Sequence, residues 1–207
     1  MDLRKYYQFY LLLTLSLIIY SNVFSQVPLN DSTKNKVGFS IGYGDQQIDL
    51  MGVDLKVDYT YEIFFSQFNY IYSFFINKLW DISFNFQTEY GITYYKPNKN
   101  FMANTRSHEF GISSGIIMAY KLMREILSIY LLFSLGPHYS KKSPERQISG
   151  FMFNTNYNVG INLWMNDNIL FDIKTGLRHL SNASLKNPNG GINNWIISFG
   201  LIYQLEK

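Results

Sequence analysis

The chain has no cysteine, so no disulfide framework can hold it together. Charge is scarce as well. Asp, Glu, Lys and Arg make up 16% of the residues, against roughly a quarter in ordinary globular domains. The formal net charge of +3 is too mild to suggest a nucleic-acid partner. After residue 25 no apolar run is long enough to form a membrane-spanning helix.

What is present begins with an export signal. Arg4 and Lys5 form a basic n-region, Phe9 to Tyr20 an apolar stretch, and Val23-Phe24-Ser25 a cleavage site before Gln26. This layout predicts a secretory signal peptide over residues 1–25, with an uncleaved anchor as the alternative. Removing Asp2, Arg4 and Lys5 takes away a net charge of +1, which lowers +3 to +2. Residues 26–207 are expected to form a single domain. An exported domain without disulfides must draw its stability from a substantial core or from a membrane. Tyr and Phe number 17 each, with three Trp, and aromatics reach 18%. Rich in aromatics, poor in charge and lacking spanning helices, such a chain fits a transmembrane β-barrel. A secreted β-sandwich is the rival.

The segments alternate with period two. From Phe151 to Met165 the odd positions carry Phe153, Tyr157, Val159, Ile161 and Leu163, while the even positions carry Asn154, Asn156, Asn158, Gly160 and Asn162. One face is apolar and the other is amide and glycine, which is the pattern of a strand between two different solvents. The same design recurs around residues 37–43, 57–76, 81–94, 109–120, 127–135, 169–181 and 195–205. The alternation in 57–76 slips near Gln67 to Tyr70, where a bulge is expected. The count is eight. The fold class predicted is all-β: an eight-stranded antiparallel transmembrane β-barrel of the bacterial outer membrane.

Connections at Asn77-Lys78, Lys121 to Glu125 and Asn166 to Asn168 are short. Those at Gln47 to Lys56, Lys96 to Arg106, Ser140 to Gln147 and Asn182 to Asn194 are longer. Short periplasmic turns and long external loops are the habit of outer-membrane barrels, and a first strand entering from the periplasm puts all four long loops outside. Eight strands leave a lumen that side chains fill. Inward Glu89, Glu109, Asp172, Lys174 and Arg178 are therefore expected to pair with one another rather than to line a pore.

The end of the seventh segment carries the chemistry. His179 and Ser181 share parity with the lipid-facing Ile169, Phe171, Ile173 and Leu177. An imidazole and a hydroxyl at the edge of a lipid face are costly unless satisfied or used. Alternate strand residues lie roughly 7 Å apart at Cα, from about 3.3 Å per residue, so leaning side chains can bring base and nucleophile together. A hydrolase placed at outer-leaflet depth would act on a lipid.

Here the sequence resembles the PagL-type lipid A 3-O-deacylases, an acyloxyacyl hydrolase family. The family pattern is His-x-Ser-Asn-Ala followed by Pro-Asn-x-Gly, matched by His179, Ser181, Asn182, Ala183, Pro188, Asn189 and Gly191. The resemblance implies an outer-membrane esterase that removes a 3-O-linked acyl chain from lipid A or lipopolysaccharide without metal or other cofactor. Ser181 would be the nucleophile and His179 the base. The side-chain amide of Asn182 and the backbone N–H of Ser184, where the family usually has glycine, would form the oxyanion hole. Loss of one such donor can cost on the order of 3 kcal/mol of transition-state stabilisation.

The chain departs from the family at the third catalytic position. The family has glutamate there and this chain has Asn193. Asparagine can orient an imidazole but cannot supply the charge that stabilises imidazolium; a comparable acid-to-amide change in a serine protease costs about 10⁴-fold. Glu145, on another external loop, is the one acid that could substitute. The alternative function is thus a catalytically impaired barrel that binds lipid or has a structural role. His108 and His138 are expected to hydrogen-bond at the external rim, and isolated histidines do not make a metal site. Arg106, Lys141, Lys142 and Arg146 are placed to meet lipid phosphates or simply to be solvated. The sequence leaves a homodimer open.

Overall fold

A computed structural model describes residues 34–46, 59–96, 103–122 and 126–205. The signal segment and the expected loop from Gln47 to Lys56 lie outside these residues. The described chain forms eight strands: β1 (Asn35–Asp45), β2 (Thr60–Ile76), β3 (Trp80–Lys96), β4 (Thr105–Leu122), β5 (Leu127–Ser140), β6 (Gly150–Trp164), β7 (Ile169–Ser181) and β8 (Ile192–Gln204). Each pairs antiparallel with its sequence neighbours, and β1 pairs with β8 to close the barrel. Closure leaves no unpaired sheet edge, the condition for strands to sit in hydrocarbon.

The alternation read from the sequence is the alternation of the wall. On β3, Phe84, Phe86 and Tyr90 are exposed outside while Asn85, Gln87 and Glu89 are buried inside. On β6, Tyr157, Val159 and Ile161 face out and Asn154, Asn156 and Asn158 face in. Phe86 is 53% exposed and Asn85 2%, the inverse of a water-soluble barrel.

One detail of β2 differs from expectation. The ladder with β3 runs unbroken through Gln67↔Glu89 and Asn69↔Gln87, and the register shifts instead between Ser73 and Phe75. The apparent slip near Gln67 was chemical, not geometric. The inward face of β2 carries Tyr61, Ile63 and Phe65 before it turns polar at Gln67 and Asn69. The real bulge is marked by Phe74 and Phe75, consecutive and both exposed.

The lumen is filled in layers. Toward the long-loop end, Tyr59, Tyr61, Tyr95, Met152, Leu180 and Ile192 cluster. Below them Arg178, fully buried, bonds to Glu89 at 3.1 Å and to Glu109. Tyr61 also donates to Glu109, and Gln67 donates to Glu89 at 2.7 Å. Tyr130 donates to Asp172 at 2.7 Å. Near the short-turn end Lys36 pairs with Asp81 at 2.5 Å, beside an apolar layer of Ile71, Leu170 and Ile202. Burying charges this deeply is tolerable only because each finds partners.

His138 is a correction to the sequence reading. It lies 2% exposed inside the lumen, not at the rim, with Nε2 3.2 Å from Glu109. Its ring fills the space left by Gly111, where a Cβ would stand 2.0 Å from Nδ1. His108 does face outward, 2.8 Å from the Tyr90 hydroxyl.

Candidate active site

Strand register brings two of the predicted residues, His179 and Asn193, together. On β7 and β8, His179 pairs directly with Asn193. Both point outward, so their side chains meet across a single rung. The imidazole Nδ1 lies 2.6 Å from Asn193 Oδ1. An amide oxygen only accepts, so Nδ1 carries the proton and Nε2 is left with its lone pair. Ser181 is the next residue on the same outward face, beside Phe153 of β6.

The loop after Ser181 is tightly wound. Ala183 and Ser184 have φ of 51° and 62°, a region L-residues rarely enter. Glycine would adopt the conformation of Ser184 with less strain. Asn182 turns inward, 1% exposed, with Nδ2 donating to the Lys186 carbonyl at 2.8 Å and its own N–H donating to Asn189 Oδ1 at 2.9 Å. One N–H of the Asn182 amide is therefore engaged in the loop. Asn189 Nδ2 in turn donates to Ser184 Oγ at 3.2 Å.

Gly191 closes the site from the other side. Its φ is +67°, and a Cβ there would lie 2.8 Å from His179 Cε1. Both the dihedral and the contact demand glycine.

An apolar groove of about 490 Å³ opens beside this cluster on the outer wall. Leu177, Tyr157, Phe133 and Ile116 form one registered row across four strands, and Thr175, Val159, Leu131 and Met118 form the next. Leu177 is two residues from His179 on the same face, and its β8 partner Trp195 is two residues from Asn193.

The other rim residues are placed differently. Glu145 is exposed on the β5–β6 loop. Arg146 lies 5.2 Å above the Tyr59 ring and donates to the Gly190 carbonyl. Lys141, Lys142 and Arg106 are exposed. The ligand atoms of Glu89, Glu109 and His138 lie within 4.8 Å of one another. Arg178 Nη2 sits among them, 3.1 Å from Glu89 and 3.3 Å from His138, where a metal ion would have to be.

A model of the lipid A 3-O-deacylase (PagL) family matches residues 66–201, from the middle of β2 to near the end of β8. The chain belongs to the PagL lipid A 3-O-deacylase family. Among solved structures it is similar to the outer membrane enzyme PagL, at 14% identity and a TM-score of 0.53, covering 80% of this chain and 97% of that one. It is also similar to Neisserial surface protein A, at 12% identity and a TM-score of 0.54, covering 85% and 100%. At such identities the likeness speaks for the barrel alone. No curated protein sequence matches.

All of His179, Ser181, Asn182, Ser184 and Asn193 fall inside the stretch that the PagL family model matches. Two contacts of the site escaped sequence reasoning. Gln147 accepts the Gly191 N–H at 3.0 Å, and Tyr59 donates to the Gly191 carbonyl at 3.3 Å. Tyr59 lies outside the matched stretch, and no local pattern marks either residue.

Proposed function

We propose that this chain is a serine esterase of the outer leaflet that removes an ester-linked acyl chain, at the 3-O position, from lipid A or a related glycolipid. The observation that carries the reading is the His179–Asn193 rung at 2.6 Å, with Ser181 on the same outward face. Ser181 Oγ attacks the ester carbonyl while its proton passes to His179 Nε2. The tetrahedral intermediate collapses as the C–O bond to the sugar breaks, and the sugar oxygen takes the proton back from the imidazolium. Water then hydrolyses the acyl-serine with His179 again as base. The Ser184 N–H is the oxyanion donor, and the Asn182 amide, buried inward and donating to the Lys186 carbonyl, would have to turn outward to join it. No step needs a metal or cofactor.

The outward apolar face and the loop lengths support a barrel set in the outer membrane with its long loops outside. That puts the catalytic cluster at outer-leaflet depth, with the groove below Leu177 holding the acyl chain. Every group comes from one chain, so the chemistry does not require a dimer.

Asn193 favours a second reading, a barrel that binds lipid but turns over slowly or not at all. Mass spectrometry of lipid A from cells expressing the chain, beside Ser181→Ala at equal level, tests both. Loss of one hydroxyacyl mass with the unaltered chain alone supports the esterase. No change with either, the protein being folded in the membrane, supports the impaired barrel.

A further inference from the structure

We infer that Gln147 and Tyr59 are positioning residues for the His179 imidazole, acting through the backbone of Gly191. The inference rests on the proposed role of His179 as the base. Gln147 is 2% exposed and Tyr59 6%. One takes the Gly191 N–H and the other donates to the Gly191 carbonyl, so the peptide groups on both sides of this glycine are held. The imidazole edge at Cε1 faces Gly191, where an added Cβ would stand 2.8 Å from it. Cε1 lies between Nδ1 and Nε2, so this contact governs how far the ring can pivot about its bond to Asn193. A neutral amide grips the ring more weakly than a carboxylate would, because a hydrogen bond to a charged group is roughly twice as strong. A second point of contact supplies the restraint that Asn193 lacks.

The side chains of Gln147 and Tyr59 are not what joins the two loops. Backbone bonds from Gly190 N to Arg146 O at 2.7 Å and from Ile148 N to Pro188 O at 3.0 Å do that independently. The side chain of Arg146 reinforces the junction through the Gly190 carbonyl and the Tyr59 face. Removing the Gln147 acceptor or the Tyr59 hydroxyl should therefore leave the loops paired and loosen only Gly191.

The test uses the full-length protein in micelles, with folding followed by heat-modifiable migration, and two variants, Gln147→Met and Tyr59→Phe. ¹⁵N spectra of histidine-labelled protein report three imidazoles, with His179 assigned by its loss in His179→Gln. In the unaltered protein His179 should be a single Nδ1–H tautomer. Each variant should give mixed tautomers at His179 and leave His108 and His138 unchanged. On lipid A, kcat should fall about tenfold to a hundredfold with KM unchanged. Gln147→Glu, which keeps an acceptor, should restore both signatures. His179 spectra identical to the unaltered protein in both variants would overturn the inference. Tyr59→Phe removes one oxygen, so it keeps the test open if Gln147→Met does not fold. If the unaltered protein shows no deacylation, the esterase reading falls while the spectra still decide the positioning.

Discussion

Two consecutive rungs of the β7–β8 hairpin face opposite solvents and solve the same problem differently. On the inner rung Arg178 meets Asn194, with Nη1 3.4 Å from the amide oxygen, and two carboxylates, Glu89 and Glu109, neutralise its charge. On the outer rung His179 meets Asn193 alone. Both rungs carry an asparagine on β8. Inside, that amide is a minor member of an ionic cluster; outside, it is the hydrogen-bond partner that orients the imidazole. The pleat turns neighbouring residues to opposite faces, so the acids that pair with Arg178 face away from the His179 imidazole and do not hydrogen-bond to it. A chain can thus be rich in paired charge within and still leave an outward imidazole facing a neutral partner.

The sharpest break of this comparison is at Ser181, the proposed nucleophile. Ser181→Ala should abolish ester hydrolysis, by a factor on the order of 10⁴ or more in kcat, while leaving the inner rung and the folded barrel intact. Single-turnover release of fatty acid from purified lipid A would read it. Residual release equal to the unaltered protein would remove Ser181 from the chemistry.

Next comes the outer amide itself. Asn193→Glu supplies the charge that the inner rung has and the outer lacks. If His179 is the base, kcat should rise by about 10²- to 10⁴-fold, the reverse of the loss that follows an acid-to-amide change in a serine protease. KM should hardly move, because the gain belongs to the imidazolium of the transition state. An unchanged or lower kcat, with the folded protein confirmed, would mean that Asn193 does not occupy the acid's position.

The inner rung is expected to matter for stability. Arg178→Met removes a buried cation and strands Glu89 and Glu109, at a cost of about 3–5 kcal/mol. Urea unfolding in lipid vesicles should show a midpoint lowered accordingly. Asn194→Ala in the same assay should cost much less, since it removes only the neutral member.

Much of this was legible in the residues. Inner and outer faces could be separated because Asn154, Asn156 and Asn158 alternate with Phe153, Tyr157 and Val159. The same parity put His179 and Ser181 outside and Arg178 inside. Parity also held the answer for His138, which shares the even, inward set of Ser134 and Gly136; nearness to the strand end was the wrong criterion. The bulge at Phe74 was misplaced because alternation in chemistry is a poor guide where the lumen itself is apolar, as at Tyr61, Ile63 and Phe65. The grip of Gln147 and Tyr59 on Gly191 was out of reach. It joins residues 44 and 132 positions apart, through loops with no period to read.

The smallest expected effect lies farthest from the rung, in the outer groove. Val159 and Leu131 form the middle of the row on one side of it, and Tyr157 and Phe133 the facing row. A Val159→Trp substitution would fill the groove one strand over and two residues along from Leu177, a diagonal of about 8 Å. If the acyl chain lies there, a long chain loses contact and a short one does not. One or two methylenes in an apolar site are worth about 0.8 kcal/mol each, so kcat/KM for long-chain substrates should drop several-fold relative to short ones. Because Val159 already faces outward, the added ring meets lipid and the barrel should fold as before. Competition between lipid A species differing only in acyl length would show the shift in preference. Equal loss on both, or none, would place the acyl chain elsewhere on the wall and leave the His179–Asn193 rung as the part of the site that stands without the groove.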